Sequence, residues 1–279
     1  MRVVYQGEPG AFSEEAVLAF FGDGAEAPDR TAVPTWRAVF DAVADGSADR
    51  GVIAIESSLA GSIRETYDLL AEFFDRGVRI VGEVSVPVRL ALLALPGQSL
   101  DGIERVYSHA QALAQADEFL RSRDWQVLTT YNTAGAARMI AETGSKQEGA
   151  IASVAAASRF GLAVLAERIQ TEKENFTKFA VIATEGSSLG EADKTSLVMA
   201  VADRPGSLLA SLQPFAERGI NLHKLESRPR RGRAFEYVMY VDLMRAAEHP
   251  DVVDALAEVA EHTSMLRVLG SYRAAPEPT

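Results

Sequence analysis

In NFTKF, Asn175 to Phe179, a hydroxyl and a cation stand side by side between two aromatic rings, and an apolar run follows at once. A threonine can donate a hydrogen bond to a departing oxygen, and a lysine can hold an anion as a point charge. The same stretch also fits a plain strand entrance, where a β-branched residue is at home. These five residues alone leave both readings open.

A second group lies in YSHAQALAQ. Ser108, Gln111 and Gln115 recur at offsets of three and four, which places them on one stripe of a helix starting near His109. Ser108 suits the N-cap of that helix. The two glutamines both donate and accept hydrogen bonds, and His109 between them can act as an acid or a base or serve only the helix start. A third group is IAIESSLAGSIRE, where a strand ends at Glu56 and hydroxyls follow at Ser57 and Ser58. Gly61 lets the backbone turn, and Ser62 with Glu65 matches a capping box. Free N–H groups at such a helix start, beside serines, can seat an anion. YQGEPGAFSEEA repeats the pattern with Gly7, Gly10 and Ser13.

The chemistry these groups suit is narrow. No phosphate-binding lysine loop and no dinucleotide spacing accompanies the glycines, so no nucleotide is expected. The chain has no cysteine, and its 4 histidines do not pair at ligand spacing, so neither metal nor cofactor is expected. What remains is a small anionic ligand and a reaction that needs little acid–base power.

The elements that must position these residues come from the patterning. The first 184 residues alternate short apolar runs with helical patterns, as in VVY before SEEAVLAFF and GVIAI before SIRETYDLLAEFF. That alternation predicts α/β units around largely parallel sheets. RIVGEVSVPVRLALLAL carries two strand-like runs with no helix between them, which predicts a crossing into a second lobe over about 80–160, with FAVIAT returning to the first. A two-lobed domain has a cleft, and clefts bind small ligands. EGSSLGEADK then reads as a polar linker. Beyond it, residues 195–273 read as βαββαβ, the split ferredoxin-like unit, and AAPEPT reads as a loose tail.

Composition sets the remaining bounds. A net charge of −11 argues against nucleic acid and anionic membranes as partners. No apolar run reaches membrane-spanning length and no signal-peptide pattern opens the chain, so a soluble, cytoplasmic protein is expected. RPRRGR places four arginines at a hairpin tip, read as a solvated turn or a subunit contact.

Taken together, YQGEPGAFSEEA, GVIAIESSLAGSI, SHAQALAQ, NFTKF, DRPGSL and ESRP resemble, in order and spacing, the bacterial prephenate dehydratases with a C-terminal ACT domain. The resemblance covers nearly the whole chain. It implies an α/β fold with a two-lobed, periplasmic-binding-protein-like catalytic domain over 1–184 and a ferredoxin-like ACT regulatory domain over 195–273. It also implies decarboxylating dehydration of prephenate to phenylpyruvate, with phenylalanine as allosteric effector and a homodimer or dimer of dimers. The family's catalytic threonine matches Thr177, the expected hydrogen-bond donor to the leaving hydroxyl. Lys178 stands where the family has arginine and is expected to anchor a carboxylate, beside Ser108 and Gln111. Glu56, Ser57, Ser58, Gln115, Asn175 and Phe179 are expected around the substrate; Ser57 replaces the family's asparagine and Ala110 its proline. Gly206, Ser207, Leu208, Asn221, Glu226 and Ser227 are expected around the effector. An arogenate dehydratase and a non-catalytic two-lobed binding protein are the alternatives.

Overall fold

The computed structural model describes residues 1–277 except 188 and 231. The chain opens with β1 (Arg2–Gln6), α1 (Phe12–Phe21), β2 (Asp29–Val33), α2 (Trp36–Ala44), β3 (Arg50–Ser57), β4 (Gly61–Ser62), α3 (Arg64–Phe73) and β5 (Val78–Pro87). It crosses to β6 (Ala91–Ala94), β7 (Arg105–Ser108), α4 (Ala110–Gln115), α5 (Asp117–Arg121), β8 (Gln126–Thr129), α6 (Thr133–Thr143), β9 (Glu148–Ala152), α7 (Val154–Phe160) and β10 (Ala163–Glu167). It returns as β11 (Phe176–Thr184). The remaining elements are β12 (Lys194–Val201), α8 (Ser207–Glu217), β13 (Leu222–Pro229), β14 (Tyr237–Leu243), α9 (Pro250–His262) and β15 (Thr263–Tyr272).

Three sheets result. The first has the order β2-β1-β3-β11-β5, with β4 paired to β3, and the second β10-β6-β9-β7-β8. In the first, β1 runs parallel to β2 and β3, whereas β11 runs antiparallel to both β3 and β5. RGVIAIES and FTKFAVIAT are almost continuously apolar because both strands lie inside the sheet, covered on two faces. Because β5 belongs wholly to the first sheet, the second lobe spans roughly residues 91–167, later at both ends than the expected 80–160. The two lobes are joined by two crossings, 88–90 and 168–175, and the Val88 N–H donates to the Asn175 carbonyl across them.

The third sheet, β13-β14-β12-β15, is the expected βαββαβ unit, but it is not an independent body on a linker. Val198, Ala200, Tyr240, Leu269 and Tyr272 share one buried cluster with Ile53, Ile55, Tyr67, Leu70, Phe73 and Ile80 of the first lobe. Gly270 approaches so closely that a Cβ there would sit 2.1 Å from the Ile80 carbonyl oxygen. Lys194, expected to close the linker, is instead the first residue of β12 and is buried. Its Nζ lies 2.6 Å from Glu83 Oε2 and 2.9 Å from Asp242 Oδ2, tying the two sheets together. The tail is not loose where it is described: the Ala274 N–H donates to Asp193 and the Ala275 N–H to Glu83. Of the hairpin arginines, Arg228 pairs with Asp68 at 3.0 Å and Arg230 with Glu236 at 3.0 Å, while Arg231 lies outside the described residues.

Candidate active site in the interlobe cleft

Between the lobes lies a cavity of about 360 Å³. Thr177 and Phe179 of β11 form part of its floor, with Ala54, Ile63, Val88 and Leu90 adding apolar wall. His109, Gln111, Ala112 and Gln115 reach in from α4, so Gln111 and Gln115 of the predicted stripe face the cleft, together with Ala112 from the predicted apolar side. Gly7, Ala11, Phe12 and Ser13 bring in the start of α1. Opposite, Tyr131, Asn132 and Thr133 bring in the start of α6, where Asn132 is the N-cap and its Oδ1 accepts from the Gly135 N–H. The starts of α1, α4 and α6 thus converge on the cavity, each with the partial positive charge of a helix N-terminus. Among the described residues, no Asp, Glu, Lys or Arg side chain lines the wall.

Sequence reasoning missed Trp36, Tyr131, Asn132 and Thr133. An asparagine directly before a helical pattern was the available signal, since that is an N-cap signature. Side-chain bonds join the lobes around the cleft. Tyr131 Oη donates to the Pro34 carbonyl at 2.9 Å, Ser153 Oγ to the Gly10 carbonyl at 2.8 Å, and Arg138 pairs with Glu8 at 3.1 Å. Gly10, at φ 86°, has no room for a side chain because a Cβ would meet Ala156 Cα at 2.8 Å.

Several expected site residues point elsewhere. Lys178 follows Thr177 by one residue, so it faces the opposite side of the sheet. Its Nζ lies 3.7 Å from Glu83 Oε1, on the side covered by β12–β15, and it is no substrate anchor in this geometry. Glu56 points the same way and pairs with Lys224 at 3.0 Å. The cause is a bulge: Lys178 pairs with Glu56 and Phe179 with Ala54, which skips Ile55 and turns Glu56 away from the cleft. Ser57 is buried and its Oγ accepts from the Leu59 and Ala60 N–H groups, so it builds the turn. Ser58 Oγ accepts from the Phe176 N–H and holds the start of β11.

Ser108 is neither the N-cap nor a cleft residue. It is fully buried and donates to the Ile151 carbonyl at 2.6 Å, while His109 caps α4 by accepting from the Gln111 N–H through Nδ1 at 3.3 Å. That bond leaves Nε2 as the proton-bearing nitrogen of the neutral ring. The Ser62–Glu65 capping box does not form; Ser62 lies in β4 and α3 starts after Ile63 without a side-chain cap. Asn175 is buried at the crossings, with no partner for Oδ1 or Nδ2.

A second cavity, about 830 Å³, lies in the third sheet's domain. Ser207, Leu208 and Ser227 line it, with Gly206 at φ 84° just before α8, and its charged lining is Arg204, Arg230 and Arg233 together with Asp203 and Glu236. Glu226 and Asn221 do not line it. Glu226 alternates to the other face of β13 and accepts from Ser62 Oγ of the first lobe, and Asn221 precedes β13 at its far end.

The arrangement is that of a two-lobed α/β enzyme with its reaction cleft between the lobes and a ligand-binding regulatory domain packed on one of them. The prephenate dehydratase family model matches residues 3–187 and the ACT domain model residues 195–261. The chain belongs to the prephenate dehydratase family and carries a C-terminal ACT domain. It is 39% identical to a bifunctional chorismate mutase/prephenate dehydratase of Aquifex aeolicus, over 98% of this chain and 73% of that protein. It is 41% identical to arogenate dehydratase 1 of Petunia hybrida, over 98% of this chain and 66% of that one. The chain thus spans about two thirds to three quarters of these relatives. Among solved structures, a prephenate dehydratase from Arthrobacter aurescens in complex with L-Phe superposes with a TM-score of 0.87 at 29% identity, covering 98% of this chain and 90% of that one. GqqA, described as a quorum-quenching acylase, superposes with a TM-score of 0.88 at 30% identity, covering 99% of each chain.

Proposed function

We propose that this chain converts prephenate to phenylpyruvate, carbon dioxide and water in phenylalanine biosynthesis, with L-phenylalanine acting through the ACT domain. The observation that carries the reading is a cleft with Thr177 in its wall, helix starts around it and, among the described residues, no Asp, Glu, Lys or Arg side chain lining it. In the reaction the bond from the ring to its carboxylate breaks, and its electron pair enters the ring. The ring–hydroxyl bond opposite then breaks, and the departing hydroxide takes a proton to become water. Thr177 donates a hydrogen bond to that oxygen, with His109, Gln111 and Gln115 beside it to hold substrate and relay a solvent proton. The starts of α1 and α6 receive the side-chain carboxylate. Apolar walls around the ring carboxylate favour its loss, because a desolvated carboxylate gains most by becoming carbon dioxide.

Prephenate is taken over arogenate on the Aquifex aeolicus relative, a chorismate mutase/prephenate dehydratase, although arogenate dehydratases match at similar identity. Incubating the purified protein with each substrate tests this. Phenylpyruvate from prephenate is expected; phenylalanine from arogenate as the main activity would reverse the assignment. A homodimer through the ACT domain fits the open edge of β13, beside exposed Leu209, Leu225 and Tyr237. No helix among the described residues is long and apolar enough to cross a membrane, and a cytoplasmic location fits a biosynthetic role.

A further inference from the structure

Lys224 of β13 joins the ACT domain to the back of the catalytic strands. Its side chain is 9% exposed and its Nζ has four neighbours: Glu56 Oε1 at 3.0 Å, Ser62 Oγ at 2.5 Å, Glu226 Oε2 at 3.5 Å and the Tyr67 ring at 4.9 Å. Glu56 is the register partner of Lys178, and the next residue, Ser57, is the register partner of Thr177. Glu56 faces Lys224 only because of the bulge at Ile55. On the other face of β13, one residue beyond Glu226, Ser227 lines the ACT cavity. One strand therefore carries both a wall of that cavity and the cation that holds the end of β3.

The partners of Lys224 are of two kinds. Glu226 lies on the same strand and travels with it, whereas Glu56 and Ser62 belong to the first lobe. A shift of β13 by about 1 Å, the size of interface movements that switch proteins, lengthens only the cross-domain contacts. Lys224 then keeps Glu226 as its counter-ion and is not left unpaired, so the switch avoids the cost of a bare buried charge. We propose that Lys224, acting through Glu56, is a positioning residue for Thr177, and that ligand in the ACT cavity alters turnover by loosening or tightening this pair. The inference rests on the functional reading above, with L-phenylalanine as that ligand.

The test measures kcat and KM for prephenate with and without L-phenylalanine, and L-phenylalanine binding by calorimetry, in the full chain. In the unaltered protein the effector should change kcat/KM by at least about 5-fold, the lower end of ordinary coupling. Lys224→Met and Glu56→Gln should each bring that change to within about twofold of none while L-phenylalanine still binds, and the double variant should go no further. Both should lower basal kcat with KM little changed, and Lys224→Arg should restore the effector response. A merely structural pair would shift the melting temperature and leave the effector ratio as it was. If Lys224→Met abolishes binding or folding, Glu56→Gln, outside the ACT domain, decides the matter. An effector ratio in Glu56→Gln equal to that of the unaltered protein overturns the proposal. Failure of the unaltered protein to turn over prephenate overturns the functional reading instead.

Discussion

Thr177 and Lys178 are adjacent in the chain and serve opposite faces of one sheet: Thr177 lines the interlobe cleft, whereas Lys178 Nζ lies 3.7 Å from Glu83 on the side covered by the ACT domain. Regular alternation along β11 puts them on opposite faces. The hydroxyl–cation pair of the sequence is therefore two half-sites, one chemical and one architectural.

Thr177→Ala should lower kcat by about 10²–10⁴-fold, the usual contribution of a positioned proton donor, with the melting temperature little changed. Thr177→Ser should recover part of the loss. Steady-state kinetics on well-folded variants check both, and near-normal turnover in the alanine variant would remove Thr177 from the mechanism.

Lys178→Met should leave KM for prephenate within about threefold of the original, because uniform substrate binding is what a lost anchor would remove. The change should fall instead on thermal stability, through the contact with Glu83. A KM raised tenfold or more would return the lysine to the cleft.

Position 178 also shows how far the sequence could be read. Both lobes and the βαββαβ unit were legible because periods of 2 and 3.6 are local signals. The polar face of α4 was legible for the same reason. The direction of Lys178 was available from its spacing to Thr177, but shared motif membership obscured it. The direction of Glu56 was not available at all, since the bulge at Ile55 arises from pairing with a strand about 120 residues later. Lys194 was hidden by its polar neighbours, its partners Glu83 and Asp242 lying far from it on either side in the chain.

The cluster around Lys194 predicts an alkaline limit. Burial pulls its pKa down, but the carboxylates of Asp242 and Glu83 outweigh this and hold it above an ordinary lysine. Tyr272 is also pushed up, by burial first and then by Asp242 and Glu83. Both groups hold their protons more tightly folded than unfolded. Their stabilisation is complete below the ordinary lysine and tyrosine range and is lost as pH rises through it, from about pH 10 upward. Melting curves from pH 7 to 11 should show a steep fall at the top of that range. Lys194→Met should cost about 3–5 kcal/mol at pH 7, since it leaves two buried carboxylates facing each other.

A chain ended after residue 187 should not behave as an independent enzyme. Such a cut falls in EGSSLGEADK, the run that reads as a linker in the sequence, beside Ser188, which lies outside the described residues. Removing β12–β15 opens the shared buried cluster, uncovering Tyr67, which packs on Tyr240, and Ile80, which packs on Gly270. The expected result is aggregation or a broad, non-cooperative melt, seen by light scattering and calorimetry. A sharp melt with full prephenate turnover would show that the first lobe can hold its shape uncovered.

The contact between Gly270 and the Ile80 carbonyl is backbone against backbone, so it cannot relax by a change of rotamer. It works as a fulcrum. β15 rests there on the first lobe, and β13, at the opposite edge of the same sheet, lies three strand spacings away, an arm on the order of 14 Å. Any rocking of the ACT sheet about this pivot is smallest at β15 and largest at β13, the strand that carries both the cavity wall and Lys224. A side chain at position 270 would act as a wedge under the lever, tilting the sheet even with the cavity empty.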